Sequence, residues 1–391
     1  MPYATRLLLG TLIGRLPNGM VPLALVVTGA DGFGAALAAL YLLASAVGGP
    51  LIGRQVDRYG QLHTFFAGAV VSGAALVVVA AGPRQPWCVV VAVVIAGAAK
   101  PPLESGLRAL FGAGPGSVMP GPLHQRTALA LDAASQELIY LVGPLLVAGV
   151  VIVASAAAAL LVTALLGLVG TALVVTTPPS RSWAAAPRRA DWRGPLGSSR
   201  LRALYLAMVG VGFPIGALTP LAVDTADRFG SPGLSGALPA VLSVGAVVGG
   251  LAYGSRTWSG STAVRHLIVL AAVFAVGWVP MSWAGSPTAA LLAAAVPGLV
   301  MAPLFGVAFV VTGALAPRGT VTEAHALLVA ALDVGCAAGA ASVGLVPTMA
   351  LLPAGAAVGA LVLAAARRRL TVTDRHPLLP ASDPIPRGSL S

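Results

Sequence analysis

Gly49-Pro50-Leu51-Ile52-Gly53-Arg54-Gln55-Val56-Asp57-Arg58-Tyr59-Gly60 closes one long apolar run and opens the next. An aspartate and two arginines crowd into a few residues between two stretches that hold almost no charge. Such a stretch reads as a short cytoplasmic turn between two membrane-spanning helices.

Composition supports that reading. The chain is 57% hydrophobic and 9% charged, with a mean hydropathy of +0.91. A soluble domain carries about 25% charged residues. This much apolar surface has no hiding place in water, whereas a bilayer needs none. The 48 glycines and 31 prolines show no collagen-like period, and membrane helices tolerate both residues. The net charge of +11 comes from arginines in short loops. This suits membrane topology and not a nucleic-acid partner. Cys88 and Cys336 lie far apart in apolar runs, and the five histidines lack ligand spacing. The sequence therefore points to no disulfide framework, metal site or cofactor. The N-terminus leads straight into an apolar run without a small-residue cleavage site, so an uncleaved first helix is expected.

A spanning helix needs roughly 20 apolar residues, and on that count the chain holds twelve spans. With both termini inside, the loop arginines sort to one side, among them Arg6, Arg54, Arg58, Arg181, Arg202, Arg318 and Arg367 to Arg369. Only Arg84 and Arg228 fall on the other. The expected protein is all-α and multi-pass in the cell (inner, cytoplasmic) membrane, with both termini cytoplasmic. Residues 176–202 form the longest polar connection between spans. This divides the chain into a six-helix bundle (1–175), a basic linker (176–202), a second six-helix bundle (203–366) and a polar tail (367–391). The loop 112–121 is rich in Gly and Pro.

The halves resemble each other. Pro17-x-Gly19 followed by Pro22-Leu23-Ala24 in the first span answers Pro214-x-Gly216 followed by Pro220-Leu221-Ala222 in the seventh. Gly49-x-x-x-Gly53 likewise answers Gly250-x-x-x-Gly254. Parallel repeats of six spans mark one transporter architecture, with the substrate between the halves.

With these features in view, Gly53-x-x-x-Asp57-Arg58-x-Gly60 resembles the loop 2–3 signature of the major facilitator superfamily. The resemblance implies twelve helices in two six-helix bundles related by a pseudo-twofold axis. It implies a conformational latch of Gly53, Asp57, Arg58 and Gly60. There the aspartate faces the N-terminal end of the eleventh helix and meets an arginine at the inner end of the fourth, here Arg108. The basic residues usual after Gly60 are replaced by Gln61 and Leu62, which implies a weaker latch. Trp258 stands where the second half would repeat Asp57. Gly143-Pro144, with Gly149 after it, resembles in part the glycine-proline motif of the family's antiporters.

Charges within spans are costly, at roughly 2.5–3.5 kcal/mol on insertion scales, and so should face a cavity or a partner. Arg15 is either a clamp for a substrate carboxylate or phosphate, the partner of an acid, or a snorkelling residue. Glu137 is its expected partner, and Asp132 is expected to be solvated in the first turns of the fifth span. Glu137 and Asp333 each precede a glycine (Gly143, Gly339) by six residues. Asp333 has no evident cation beside it and is a proton-coupling candidate, as are Glu137 and Glu104. Lys100 and Glu104 are spaced for one helix face across Pro101-Pro102, as substrate contacts, a proton relay or an ion pair. Glu323 is expected at the start of the eleventh helix, capped by Thr320 or Thr322. The expected protein is not an enzyme. It is a monomeric secondary transporter, working by alternating access as a proton-coupled efflux pump for a small organic molecule. The alternatives are uptake of an anionic nutrient through Arg15 and Lys100, and a transport-dead receptor.

Overall fold

The computed structural model describes residues 2–28, 33–82, 85–111, 122–183, 192–231, 233–254, 263–343, 345–346 and 348–370. The loop 112–121, Trp258 and the tail from 371 lie outside them. Among the described residues the secondary structure is helical throughout. The first half holds α1 (Pro2–Thr28), α2 (Phe33–Tyr59), α3 (Gln61–Ala80), α4 (Pro86–Ala98), α5 (Leu103–Phe111), α6 (Pro122–Val153) and α7 (Ala156–Val175). A short α8 (Pro178–Arg181) follows. The second half holds α9 (Ser199–Arg228), α10 (Leu234–Gly254), α11 (Ala263–Gly277), α12 (Pro287–Leu315), α13 (Val321–Val343) and α14 (Leu351–Leu370). Eleven of the resulting spans are long and apolar enough to cross a membrane, α4 and α5 counting as one. Residues Leu138–Val153 of α6 add a shorter apolar stretch. The protein is multi-pass in a membrane.

The helices follow from the solvent. A segment in hydrocarbon must satisfy its backbone internally, and a helix does so. Ser155, Ser198 and Ser286 accept from the N–H of Ala158, Leu201 and Ala289, capping α7, α9 and α12. Pro101-Pro102 removes two donors in mid-span, so the fourth span breaks into α4 and α5 around Lys100. Large apolar side chains such as Leu145, Ile152, Leu165, Leu206 and Val276 are exposed, as expected of a lipid-facing surface.

The two halves pack alike. In the first, α1 packs on α6 and α7, α3 on α7, and α2 and α3 on α4. In the second, α9 packs on α13 and α14, α11 on α14, and α10 and α11 on α12. The pairs correspond one for one. Between the halves, α2 lies on α13 and α10 on α6, two seams that exchange under the same pseudo-twofold.

The repeated glycines are where helices touch. Gly143 meets the backbone of Gly19, and Gly339 meets that of Phe213 and Ala217. A Cβ on Gly216 would collide with the carbonyl oxygen of Cys336. We expect Gly216→Ala to cost about 1–3 kcal/mol through forced helix separation, read as lower thermal stability in detergent. Gly49→Ala is the control, because nothing lies within 4 Å of its added Cβ, and it should lose nothing.

Candidate functional site

Asp57 sits at the end of α2, 7% exposed. One carboxylate oxygen accepts from the backbone N–H of Thr322 at 3.1 Å and the other from that of Glu323 at 2.9 Å. Both donors belong to the first turn of α13, where N–H groups lack helical partners and the dipole favours an anion. Gly53 makes the approach feasible, since a Cβ there would stand 3.0 Å from the carbonyl oxygen of Thr322. Gly60, at φ +88°, turns the chain from α2 into α3, and its N–H bonds the Val56 carbonyl at 2.8 Å. Arg58 is exposed and lies 5.2 Å over the Tyr59 ring.

Gln61, which stands in place of the family's usual basic residue, is 1% exposed. Its Nε2 donates to the Gly106 carbonyl at 3.1 Å, and its Oε1 accepts from Ser180 Oγ at 2.9 Å. A neutral amide both donates and accepts, so it joins α3, α5 and α8.

The expected meeting of Arg108 with Asp57 is corrected. Arg108 lies on the face of α5 that turns to α6. Its Nε and Nη2 both bind Asp132 Oδ2 at 2.8 Å. Asp132 Oδ1 takes Arg15 Nη1 at 2.6 Å. Arg15 Nε stands 3.1 Å from Glu104 Oε2 as an ion pair without hydrogen-bond alignment, and its Nη2 has no hydrogen-bond partner among the described residues. Arg15 and Asp132 are each 1% exposed, and Glu104 and Arg108 each 8%.

This cluster bears on three expectations. Asp132 is not a solvated first-turn residue. The helix α6 begins well before it, at Pro122, so Asp132 lies deep in the helix facing α1 and α5. Of the readings open for Arg15, the structure shows the partner of an acid, with Asp132 and Glu104 against its guanidinium. Glu104 answers Arg15 and not Lys100, because the break at Pro101-Pro102 removes the continuous helix that would align them. The side chain of Glu137 lies outside the described residues, so the partners seen for Arg15 are Asp132 and Glu104.

The cluster reaches the other half through one ring. The Arg108 guanidinium lies 3.5 Å from the centroid of Phe309 on α12. His325 of α13 stands edge-on to that ring, centroids 5.5 Å apart, with Nε2 at 3.2 Å from the Phe309 carbonyl. Neither Phe309 nor His325 was singled out from the sequence. The proximity of α5, α12 and α13 is tertiary, and no local pattern announces it.

Nearer the centre, Asp333 of α13 lies within the electrostatic reach of Lys100 and Glu104. Tyr140 of α6 feels Asp333, Glu104, Cys336 and Arg15 yet is 51% exposed. Its polar neighbours place that exposure in the space between the halves. Asp333 forms no ion pair among the described residues. No group of three or more metal-ligating side chains occurs among the described residues. What the centre offers chemically is carboxylates, a lysine and a phenol, suited to holding protons and polar cargo.

A sequence-family model described as Major Facilitator Superfamily matches residues 7–340. No curated protein matches the sequence. Among solved structures, the chain is similar to the human organic anion transporter TETRAN, with a TM-score of 0.71 at 18% identity, covering 92% of this chain and 98% of that one. It is similar to a bacterial homologue of the iron transporter ferroportin in its outward-facing state, with a TM-score of 0.69, 16% identity and coverage of 95% and 98%. The E. coli fucose:proton symporter FucP matches at a TM-score of 0.64, 15% identity and coverage of 95% and 99%. At these identities the likeness to solved structures concerns the fold.

Proposed function

The chain belongs to the major facilitator superfamily, and from that premise we propose that it is a proton-coupled efflux transporter working by alternating access. Membrane transport of a small molecule follows from the family. Proton coupling, export and the roles of single residues are our reading. The observation that carries it is Asp333, a carboxyl between the halves with no ion pair among the described residues and with Lys100 and Glu104 within its electrostatic reach. A carboxyl so placed alternates between charged and neutral as its surroundings change. The Gly143-Pro144 pair, set against Gly19, supports export through its likeness to the antiporter motif.

In this reading Gly53, Asp57, Arg58 and Gly60 form the latch on the cytoplasmic side. The exposed arginines at that end, Arg58 on one half and Arg367 to Arg369 on the other, support the orientation with both termini inside the cell membrane. A monomer suffices, since both halves lie in one chain. Uptake of an anionic nutrient is less favoured, because Arg15 is committed to Asp132 and Glu104 and Lys100 alone remains for a clamp.

The test uses proteoliposomes loaded with the pH dye pyranine and challenged with a panel of organic cations, anions and sugars. Proton movement should accompany at least one compound. Asp333→Asn should abolish it, with at least tenfold loss of coupled flux. Compound flux indifferent to an imposed pH gradient, or normal coupling in Asp333→Asn, would overturn the coupling.

A further inference from the structure

We propose that Trp192-Arg193 of the segment connecting the halves, together with Arg58-Tyr59 of α2, forms a docking surface for the phosphate headgroup of an anionic phospholipid. It lies beside the seam where α2 meets α13. The proposal concerns the bilayer and stands apart from cargo, coupling and direction.

Three observations carry it. First, one face of α2 runs unbroken from hydrocarbon to charge. Leu43, Val47 and Leu51 are 62%, 61% and 55% exposed and follow at four-residue steps, which puts them on one stripe of the helix. Steps of three and four continue that stripe to Arg54 and Arg58. From Leu51 to Arg54 the helix rises only about 4.5 Å, so lipid-facing leucine gives way to guanidinium within one turn. Such a change marks the level of the headgroups.

Second, the connecting segment is fastened at that level. Arg54 Nη2 donates to the Trp192 carbonyl. Just beyond, the 3₁₀ turn Gly194–Gly197 packs on α9 and α13, with Gly194 and Pro195 buried, and Arg202 Nη1 donates to the Leu196 carbonyl at 2.8 Å. The backbone around Trp192 is thus held from α2 of one half and from α9 and α13 of the other, yet its side chain is 75% exposed. A headgroup bound there touches both halves.

Third, the exposed side chains suit a phosphate ester at a lipid surface. The Arg193 guanidinium lies 5.3 Å from the Trp192 ring centroid, and that of Arg58 lies 5.2 Å over Tyr59. Arginine binds phosphate through two parallel N–H groups. The neighbouring indole and phenol keep an apolar body toward the acyl chains and a polar tip toward the headgroups. Asp57, the acid at this end of α2, is engaged by the α13 N–H groups. Arg188, Arg189 and Asp191, which precede Trp192, lie outside the described residues.

The test uses full-length protein and phosphatidylglycerol, with retention of the most tightly held lipid read by native mass spectrometry during a titration. Arg193→Gln should weaken retention about fivefold, and Trp192→Ala should weaken it as well. Arg367→Gln removes an exposed arginine at the end of α14 and should change nothing. Phosphatidylcholine should be held more weakly than phosphatidylglycerol, and soluble glycerol phosphate should not displace the lipid. In liposomes containing phosphatidylglycerol, a nitroxide at Leu196→Cys, with Cys88→Ser and Cys336→Ser, should show the oxygen-to-nickel-chelate collision ratio of the headgroup level. Retention unchanged in both Arg193→Gln and Trp192→Ala overturns the surface. Equal losses in Arg193→Gln and Arg367→Gln reduce it to diffuse attraction and overturn it too. Displacement by glycerol phosphate, or a collision ratio equal to that of open water, overturns the lipid as occupant.

Discussion

Asp132→Ala should be the most damaging single substitution among the charged residues. Asp132 holds Arg15 with one oxygen and Arg108 with the other. Its removal leaves Arg108 buried with no carboxylate among the described residues and Arg15 with only the poorly aligned Glu104. Breaking a buried ion pair by deleting one partner costs about 3–5 kcal/mol, because a charge is left uncompensated. The expected result is a fall in apparent melting temperature on the order of 10 °C, seen by size-exclusion chromatography after heating in detergent. Adding Arg108→Leu should recover part of the loss, since it removes the stranded cation. A variant as stable as the parent would mean that water or lipid headgroups already solvate this cluster.

Asp57→Asn should leave the folded protein intact but shift it toward the state open to the cytoplasm. The carboxylate holds two N–H groups of α13 at 3.1 and 2.9 Å, a direct polar tie between the halves. Charge-assisted hydrogen bonds at a helix N-terminus are stronger than neutral ones. An amide keeps at most one acceptor oxygen in place and presents N–H to N–H at the other. A loss of about 3 kcal/mol corresponds to roughly a 100-fold change in the equilibrium between states. Labelling of a cysteine at Thr322 by a cytoplasm-side maleimide should accelerate accordingly, with coupled flux reduced. Equal labelling rates in both forms would remove Asp57 from the gate.

Asp57 was legible in the sequence because its signature is local. Glycine, aspartate and glycine fall within one helix end and one turn. The bundle was equally legible, because lipid demands apolar helices and the Pro-x-Gly repeat marks Gly19 and Gly216, which the structure places at helix crossings. The partners of Arg15 were not. Asp132 and Glu137 lie on one helix a turn and a half apart, and only the rotation of α6 against α1 brings Asp132 to Arg15. Sequence supplies spacing along an axis and not rotation about it. The contacts of Gln61 were hidden for a related reason. The absence of a basic residue is visible in a string of letters, whereas an amide bonded at both ends to Gly106 and Ser180 is visible only in space. The break at Pro101-Pro102 was legible as a break, but its consequence for Lys100 and Glu104 was not.

Among the described residues the charges of Arg15, Glu104, Asp132 and Arg108 sum to zero, which bears on how membrane voltage addresses this protein. An elementary charge carried across the membrane field exchanges about 2.3 kcal/mol per 100 mV, and a group that sums to zero exchanges almost none as its helices tilt.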